Sequence, residues 1–549
     1  MKITIILPYK SADLNTPIWA NIEKDIDFMN DHSGATKCTI AFAAMELKAY
    51  LGRIIKDCTI TFSDIYKESD FCIELKALDE KSKDNGYYIE PKEDEIVICG
   101  NSRVGLLYGA YEFLKLQGIR WYSPAISGEI LPETTDKLIV PNEKKEYAPS
   151  MKSGRGFDFE GELKDSESLW IWMARNRLNI STYRYASFAL QNKLGMTFKV
   201  GGHIFERMLN PDHVMEKGFT IWEQHQDWYG LPKDGVRVKE KALQLQFCVS
   251  NNALLEYLAK NLIKIINNDW KYATRIDIWG FDTWGSTCNC EKCVKLGNSS
   301  DQTLYFASKL REYINQADIN RKLELVICAY DGTATMAPPI NSIPQNLVDS
   351  GDFIVFYPIT RCYYHDFNDH DCNENGRFDN YLKSWVRAEP KIKVIIGEYY
   401  NVSKFEDLPL VFTKRMTDDL KYYCDTGVEG ITYMHLPMIN WGVRTLNQLL
   451  YAEISWNKDV DVSAIIEEYF KNMYGKYAEQ MTKAYSLVEK AWEYSANWRS
   501  WSPKSVLSQL MMWDGKKPEK EIVLDEHFKT HKNLIQIGNT SIKEMNDAI

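Results

Sequence analysis

The stretch Arg275-Ile-Asp-Ile-Trp-Gly-Phe-Asp282-Thr-Trp-Gly-Ser-Thr-Cys288-Asn-Cys290-Glu-Lys-Cys293 decides how the rest of the chain is read. It opens as a short β-type run and delivers a carboxylate, Asp282, between Trp279 and Trp284. A dense cysteine cluster follows. An acid beside tryptophans suits carbohydrate chemistry, because an aromatic ring stacks on the apolar face of a pyranose while a carboxyl group works on its oxygens. A buried strand end with a capping aspartate is the equally available structural reading.

Outward from this segment, eight strand candidates run between Ser153 and Trp456. They are Ser153–Phe159, Leu178–Tyr185, Phe198–His203, Arg275–Asp282, Leu323–Tyr330, Asp352–Pro358, Lys393–Tyr400 and Gly430–His435. Several are near-continuous apolar runs, as strands buried on both faces of a parallel sheet require. Helical patterns follow most of them. The fold class expected is therefore α/β, with a central (β/α)8 TIM barrel over residues 148–456. The segment His225–Gln246 fits no simple unit and reads as an insertion after the third strand. Residues 1–147 alternate strands and helices and read as a small α/β domain. In it Ser102 caps a helix that Gly118 ends, and Asp84-Asn-Gly86 signals a hairpin. Residues 457–549 are helical in pattern and read as a C-terminal helical subdomain.

Barrel chemistry gathers at the carboxyl ends of the strands. Those ends read Asp158 and Glu160, Arg184, His203, Asp282, Tyr330 and Asp331, Tyr357 and Arg361, Glu398, then His435. A purely structural barrel has no need of an ionisable or hydroxylic group at nearly every end. Glu398 closes the apolar run Val394-Ile-Ile-Gly-Glu398, so it must lie at the mouth or be paired. Asp282 and Glu398, from the fourth and seventh strands, are the expected catalytic pair across the mouth. A salt bridge from Glu398 to Arg361 or Arg184 is the structural alternative. His203 follows a glycine pair and is expected to touch substrate, as are Trp279, Trp284, Tyr330, Arg361, Tyr399, Tyr400 and Trp441; Trp441 could instead plug the barrel top. Cys288, Cys290 and Cys293, with Cys248 as a possible fourth thiolate, leave three readings open: a structural Zn²⁺, an oxidised pair with a free thiol, or an unbonded cluster. No cofactor is expected for catalysis.

Composition sets limits. The net charge of −10 and the lack of a long basic run argue against nucleic acid as a partner. No apolar segment approaches the ~20 residues that span a bilayer. Met1-Lys-Ile-Thr-Ile-Ile-Leu-Pro8 reads as a strand rather than a signal h-region, so the chain as written is expected in the cytoplasm, or in the periplasm or outside the cell if a leader was trimmed. Walker, dinucleotide-binding, zincin and hydrolase-elbow motifs are missing from the sequence. A glycan is the expected partner.

Further pieces carry a family resemblance. Gly100-Asn-Ser-Arg-Val-Gly-Leu-Leu-Tyr108, Gly118-Ile-Arg-Trp121-Tyr-Ser-Pro124 and Gly128-Glu129-Ile-Leu-Pro132 resemble the domain that precedes α-glucuronidase and β-hexosaminidase barrels. Gly202-His203, Trp228-Tyr229, Gln246-Phe-Cys248-Val-Ser-Asn251, Asp282 with its cysteines, and Gly397-Glu398-Tyr-Tyr400 resemble the domain of unknown function 4838, which includes glycoside hydrolase family 163. The resemblance implies an endo-β-N-acetylglucosaminidase acting on complex N-glycans, with catalytic roles at Asp282 and Glu398. The fourth strand ends Gly-Phe-Asp282-Thr-Trp, where β-hexosaminidases carry adjacent Asp-Glu. An α-glucuronidase-like activity, with Arg184, Arg361 or His203 receiving the carboxylate, and a non-catalytic glycan-binding barrel are the alternatives.

Overall fold

The computed structural model of the chain describes residues 1–10, 12–160, 166–182, 188–215, 218–363, 365–400, 411–437, 441–492 and 543. In the N-terminal part the strands are β1 (Lys2–Ile6), β2 (Thr59–Ser63), β3 (Phe71–Ala77), β4 (Tyr87–Lys92), β5 (Glu95–Gly100), β6 (Arg120–Trp121), β7 (Glu129–Ile130) and β8 (Lys145–Tyr147). Six of them form one sheet in the order β2-β1-β3-β5-β4-β8. Helices His32–Ile54 and Arg103–Leu116 belong to the same domain. Ser102 Oγ accepts the Gly105 N–H at 3.2 Å and so caps the second helix. The hairpin is placed differently from the sequence expectation. Glu93 and Asp94 turn β4 into β5, while Asp84 forms an Asx-type turn ahead of β4 by accepting the Gly86 N–H at 2.7 Å.

The eight remaining strands are β9 (Arg155–Glu160), β10 (Ile180–Thr182), β11 (Thr197–Val200), β12 (Arg275–Asp277), β13 (Glu324–Tyr330), β14 (Phe353–Tyr357), β15 (Lys393–Glu398) and β16 (Gly430–Pro437). All pair in parallel and close into a barrel, β16 returning to β9 through Ile431↔Arg155 and Thr432↔Gly156. β14 is buried at every position, and only Lys393 of β15 is not. Large rings fill the interior, and one glycine makes room for them. A Cβ on Gly397 would lie 1.8 Å from the Tyr357 ring.

The expected insertion follows β11. Residues 204–215 and 218–251 form short helical turns and irregular chain before helix Asn252–Asn268 resumes the barrel pattern. Helices Val462–Tyr474 and Ala478–Trp492 follow the barrel. The first lies against the N-terminal domain, where Arg120 Nη2 meets Glu468 at 2.7 Å. Among the described residues no helix is long and apolar enough to cross a membrane.

A buried ionic knot joins the N-terminal domain to the barrel. Arg177, just before β10, donates to Glu112 at 2.7 Å and to Glu453 at 2.5 Å. Lys115 also bonds Glu453. Burial alone would raise the Glu453 carboxyl, but Arg177 and Lys115 outweigh it and hold the group down at about 2. The resulting stabilisation is complete above the unfolded value of ~4.3 and is lost as pH falls towards the folded one. Urea titrations should therefore show wild-type stability dropping between pH 5 and pH 3. Glu453→Gln should cost about 3–5 kcal/mol at pH 7, by leaving buried cations underpaired, and should flatten that acid slope. An unchanged slope in the variant would assign the acid sensitivity elsewhere.

Candidate active site

The mouth at the carboxyl ends of the strands is assembled from connections rather than from one segment. β11 stops at Val200 and the chain turns through Gly201 and Gly202, with φ of +109° and +84°. A Cβ on Gly201 would lie 2.2 Å from the Asp277 carbonyl oxygen, so the turn requires glycine. Helix Ile204–Met208 starts immediately, with His203 at its N-cap position. His203 Nδ1 donates to the Gly280 carbonyl at 2.6 Å, which fixes the orientation of the ring. Its ring meets Trp279 edge-on at 5.2 Å. Glu206, one turn further on, accepts the Asp282 backbone N–H at 2.6 Å.

The strand before Asp282 is shorter than its sequence suggests. β12 ends at Asp277, and among the described residues Ile278 N to Val326 O (3.0 Å) and Trp279 N to Gly202 O (3.2 Å) continue its bonding. Asp282 is thus carried by the following loop and is exposed. Phe281 anchors that loop. It is buried, and the Gln246 side chain bonds both its N–H (2.8 Å) and its carbonyl (2.7 Å). Trp284 is 48 % exposed and adopts φ +53°, a strained conformation for a bulky residue. The Gly332 carbonyl holds it there by accepting from Thr283 (3.1 Å) and Trp284 (2.9 Å). The Trp284 ring lies edge-on to Tyr330 at 5.6 Å. Tyr330 in turn contacts His203 and Tyr357, and Tyr357 contacts Tyr399. The rings of His203, Trp279, Trp284, Tyr330 and Tyr399 are linked in one collar beside Asp282, with Tyr330 and Tyr399 forming its buried inner part.

Beneath the collar is a polar layer that sequence reasoning missed. Lys199 Nζ bonds Asp158 at 2.7 Å and lies 3.5 Å from Asp277. Thr432 donates to Asp158 at 2.7 Å. Burial, followed by the charge of Asp158, pushes the Asp277 carboxyl up to about 7, against the opposing pull of Lys199. Asp277 Oδ1, Trp279 Nε1 and the Tyr357 hydroxyl are buried with no protein hydrogen-bond partner among the described residues. Such atoms are normally met by ordered water or a ligand hydroxyl. The available signal was a single charge inside an apolar strand, at Phe198-Lys-Val200 and Ile276-Asp-Ile278. For Glu206 it was the three-residue spacing from His203 on one helical turn.

Four expected site residues lie elsewhere. Glu398 and Arg361 are wholly buried and bonded to each other at 2.6 Å. Tyr363 donates to Glu398 at 2.7 Å, and Tyr423 also bonds it. Arg361 is shared with Asp419 at 2.9 and 3.0 Å, and Tyr400 donates to Asp419 at 3.2 Å. Glu398 is thus the paired carboxylate of its two sequence readings, and the pairing removes it, Arg361 and Tyr400 from the exposed rim. Trp441 is buried against Trp172, 4.9 Å between centroids, and acts as a plug instead of a stacking wall. Arg184 and the side chains of Glu160 and His435 lie outside the described residues. The four cysteine sulfurs of Cys248, Cys288, Cys290 and Cys293 converge within 4.8 Å of one another, behind the Asp282 loop.

Residues 121–486 match the family model described as Domain of unknown function (DUF4838). The chain belongs to the DUF4838 family. Among solved structures, this DUF4838 chain is similar to a GH138 enzyme targeting pectin rhamnogalacturonan II, with 11 % identity and a TM-score of 0.50, over 90 % of this chain and 69 % of that one. It is also similar to a family 89 glycoside hydrolase from Clostridium perfringens, at 13 % identity and a TM-score of 0.48, over 88 % of this chain and 55 % of that one. The β-N-acetylhexosaminidase of Bacteroides fragilis gives 13 % identity and a TM-score of 0.45, over 79 % and 89 %. At these identities the likeness to the first of them concerns the fold. No curated protein matches the chain.

The polar layer makes a testable statement about pH. Asp277 has a folded value of about 7 against an unfolded one of ~3.9. Its contribution is fully present below the unfolded value and is lost as pH rises towards 7. Asp277→Asn should flatten the stability profile between pH 4 and 7 and leave the variant more stable than wild type at pH 8, by up to about 4 kcal/mol. Equal pH slopes in denaturant titrations of the two proteins would remove Asp277 from this role.

Proposed function

We propose that the chain is a glycoside hydrolase that cleaves a β-linked N-acetylglucosamine in complex N-glycan-type carbohydrate. The observation that carries the reading is the exposed Asp282, set in a collar of aromatic rings at the mouth of a parallel barrel. Trp284 supplies a half-exposed ring for a pyranose face, and the strain in its backbone marks a position built for contact rather than for packing. In this reading Asp282 is the general acid, protonating the glycosidic oxygen as its bond to the anomeric carbon breaks, while water supplies the hydroxyl that this carbon gains and Glu206 takes up that water's proton. Glu206, whose Oε1 lies 2.6 Å from the Asp282 nitrogen, is the second carboxylate of the mouth. In the same reading His203 and Tyr330 bind sugar hydroxyls. Glu398 acts through Arg361 and Tyr363 to hold the rim, and is a positioning residue. The choice of sugar rests on the resemblance to glycoside hydrolase family 163. The uronic-acid reading is weakened, since Arg361 is enclosed between Glu398 and Asp419 and has no face towards a substrate carboxylate.

The test is to incubate the protein with a complex N-glycoprotein and with a glucuronoxylan oligosaccharide, and to profile products by mass spectrometry. Glycan release from the first is expected. Asp282→Asn and Glu206→Gln should each lower turnover by ~10²–10⁴-fold while keeping wild-type stability. Glu398→Gln should instead lower the denaturation midpoint. Free glucuronic acid with an untouched N-glycan would overturn the substrate. Glycan binding without any product would make the barrel a lectin.

A further inference from the structure

The four cysteines behind the Asp282 loop have a geometry of their own. Cys288, Cys290 and Cys293 come from one short segment, and Cys248 comes from the far end of the insertion after β11. Their sulfurs all lie within 4.8 Å of one another. Cys248 Sγ is 3.7 Å from Cys290 Sγ and 3.8 Å from Cys293 Sγ. A metal–sulfur distance of ~2.3 Å places the sulfurs of a regular tetrahedron ~3.8 Å apart, whereas a disulfide would bring two of them to ~2.05 Å. Backbone donors also point at the sulfurs. Leu231 N is 3.2 Å from Cys288 Sγ, and Cys293 N is 3.4 Å from Cys290 Sγ. N–H donors directed at sulfur are the outer partners that hold ligating side chains in place. The Ser250 hydroxyl closes one side, 3.5 Å from Cys290 Sγ.

We propose that Cys248, Cys288, Cys290 and Cys293 bind one Zn²⁺ ion as four thiolates, and that the ion fastens the insertion after β11 to the loop carrying Asp282 and Trp284. Zinc is the ion of choice because tetrahedral all-sulfur donor sets suit it, and four protein ligands leave no open position, so the role is structural. The same two segments already share polar bonds. Gln246 N donates to Ser286 O at 3.0 Å, Asn289 N donates to Leu231 O at 2.8 Å, and the Gln246 side chain brackets Phe281. Hydrogen bonds between irregular segments open one at a time. A shared ion makes their opening a single event, and the loop's acid inherits that rigidity.

The site can be tested without any substrate. Full-length protein purified under reducing conditions should carry about one zinc per chain by elemental analysis. Cys290→Ser and Cys293→Ser should each lose it. Cys372→Ser is the control, because Cys362, His365 and Cys372 form a separate three-residue group elsewhere; this variant should keep its zinc. In case the serine variants fold poorly, wild-type protein stripped with chelator should take up Co²⁺ with intense thiolate-to-cobalt charge-transfer absorption. On stripping, amide exchange should rise together in residues 244–251 and 281–293 and remain unchanged in β13 to β15. A mapped disulfide among the four cysteines, zinc lost only in Cys372→Ser, or exchange that rises in one segment without the other would overturn the proposal.

Discussion

One ammonium group inside the barrel answers two carboxylates. Lys199 on β11 reaches Asp158 on β9 and Asp277 on β12, and Thr432 adds a donor from β16 on the far side of the closing seam. Slipping β11 by one residue would turn Lys199 outward and leave both acids buried without a cation, a cost of several kcal/mol. The register of this side of the barrel is therefore tied to its charge. Two acids against one base also leave the cluster with one uncompensated negative charge, which adds to the larger effect of burial in raising the Asp277 carboxyl to about 7. The aromatic collar rests on this layer, with Lys199 Nζ 5.5 Å from the centre of the Trp279 ring.

The barrel was legible because its strands declare themselves through apolar runs, and all eight candidates are strands of the closed sheet. Their ends were less legible. The run Arg275–Asp282 looks like one strand, yet β12 stops at Asp277 because it is its neighbours, β11 and β13, that determine how far it pairs. The placement of Glu398 depended on residues distant in sequence. Arg361 lies beyond β14, and Asp419 and Tyr423 stand on the helix Thr413–Thr426 after β15. Nothing within the Val394–Tyr400 segment says which cation or hydroxyl will close over its acid. Trp441 illustrates the same gap, since an exposed wall and a buried plug share one sequence. The cysteine cluster is the opposite case. Three of its members are adjacent in sequence, and only Cys248 had to be drawn from a distance.

The mouth itself is held from two directions. From one side Gly332 accepts two backbone donors of the Asp282 loop, and from the other Gln246 brackets Phe281. The acid between them gains its exposure from neither hydrophobic pattern nor helix geometry, but from a loop pinned at both ends by polar bonds. This explains why the rim residues cluster although they come from separate connections, and why a bulky residue such as Trp284 tolerates a left-handed backbone there.

The contact between Gly397 and Tyr357 carries a consequence for how such a barrel diversifies. With the ring 1.8 Å from where a Cβ would stand, the two positions form a single mutational unit. Any side chain at 397 first demands a smaller residue at 357, and a smaller residue at 357 alone opens a hole in the barrel interior. Neither step is neutral by itself, so a lineage crossing between the two packings must pass through a less stable intermediate. The width of the barrel at this layer, and with it the depth available beneath the collar, is thereby protected against gradual drift.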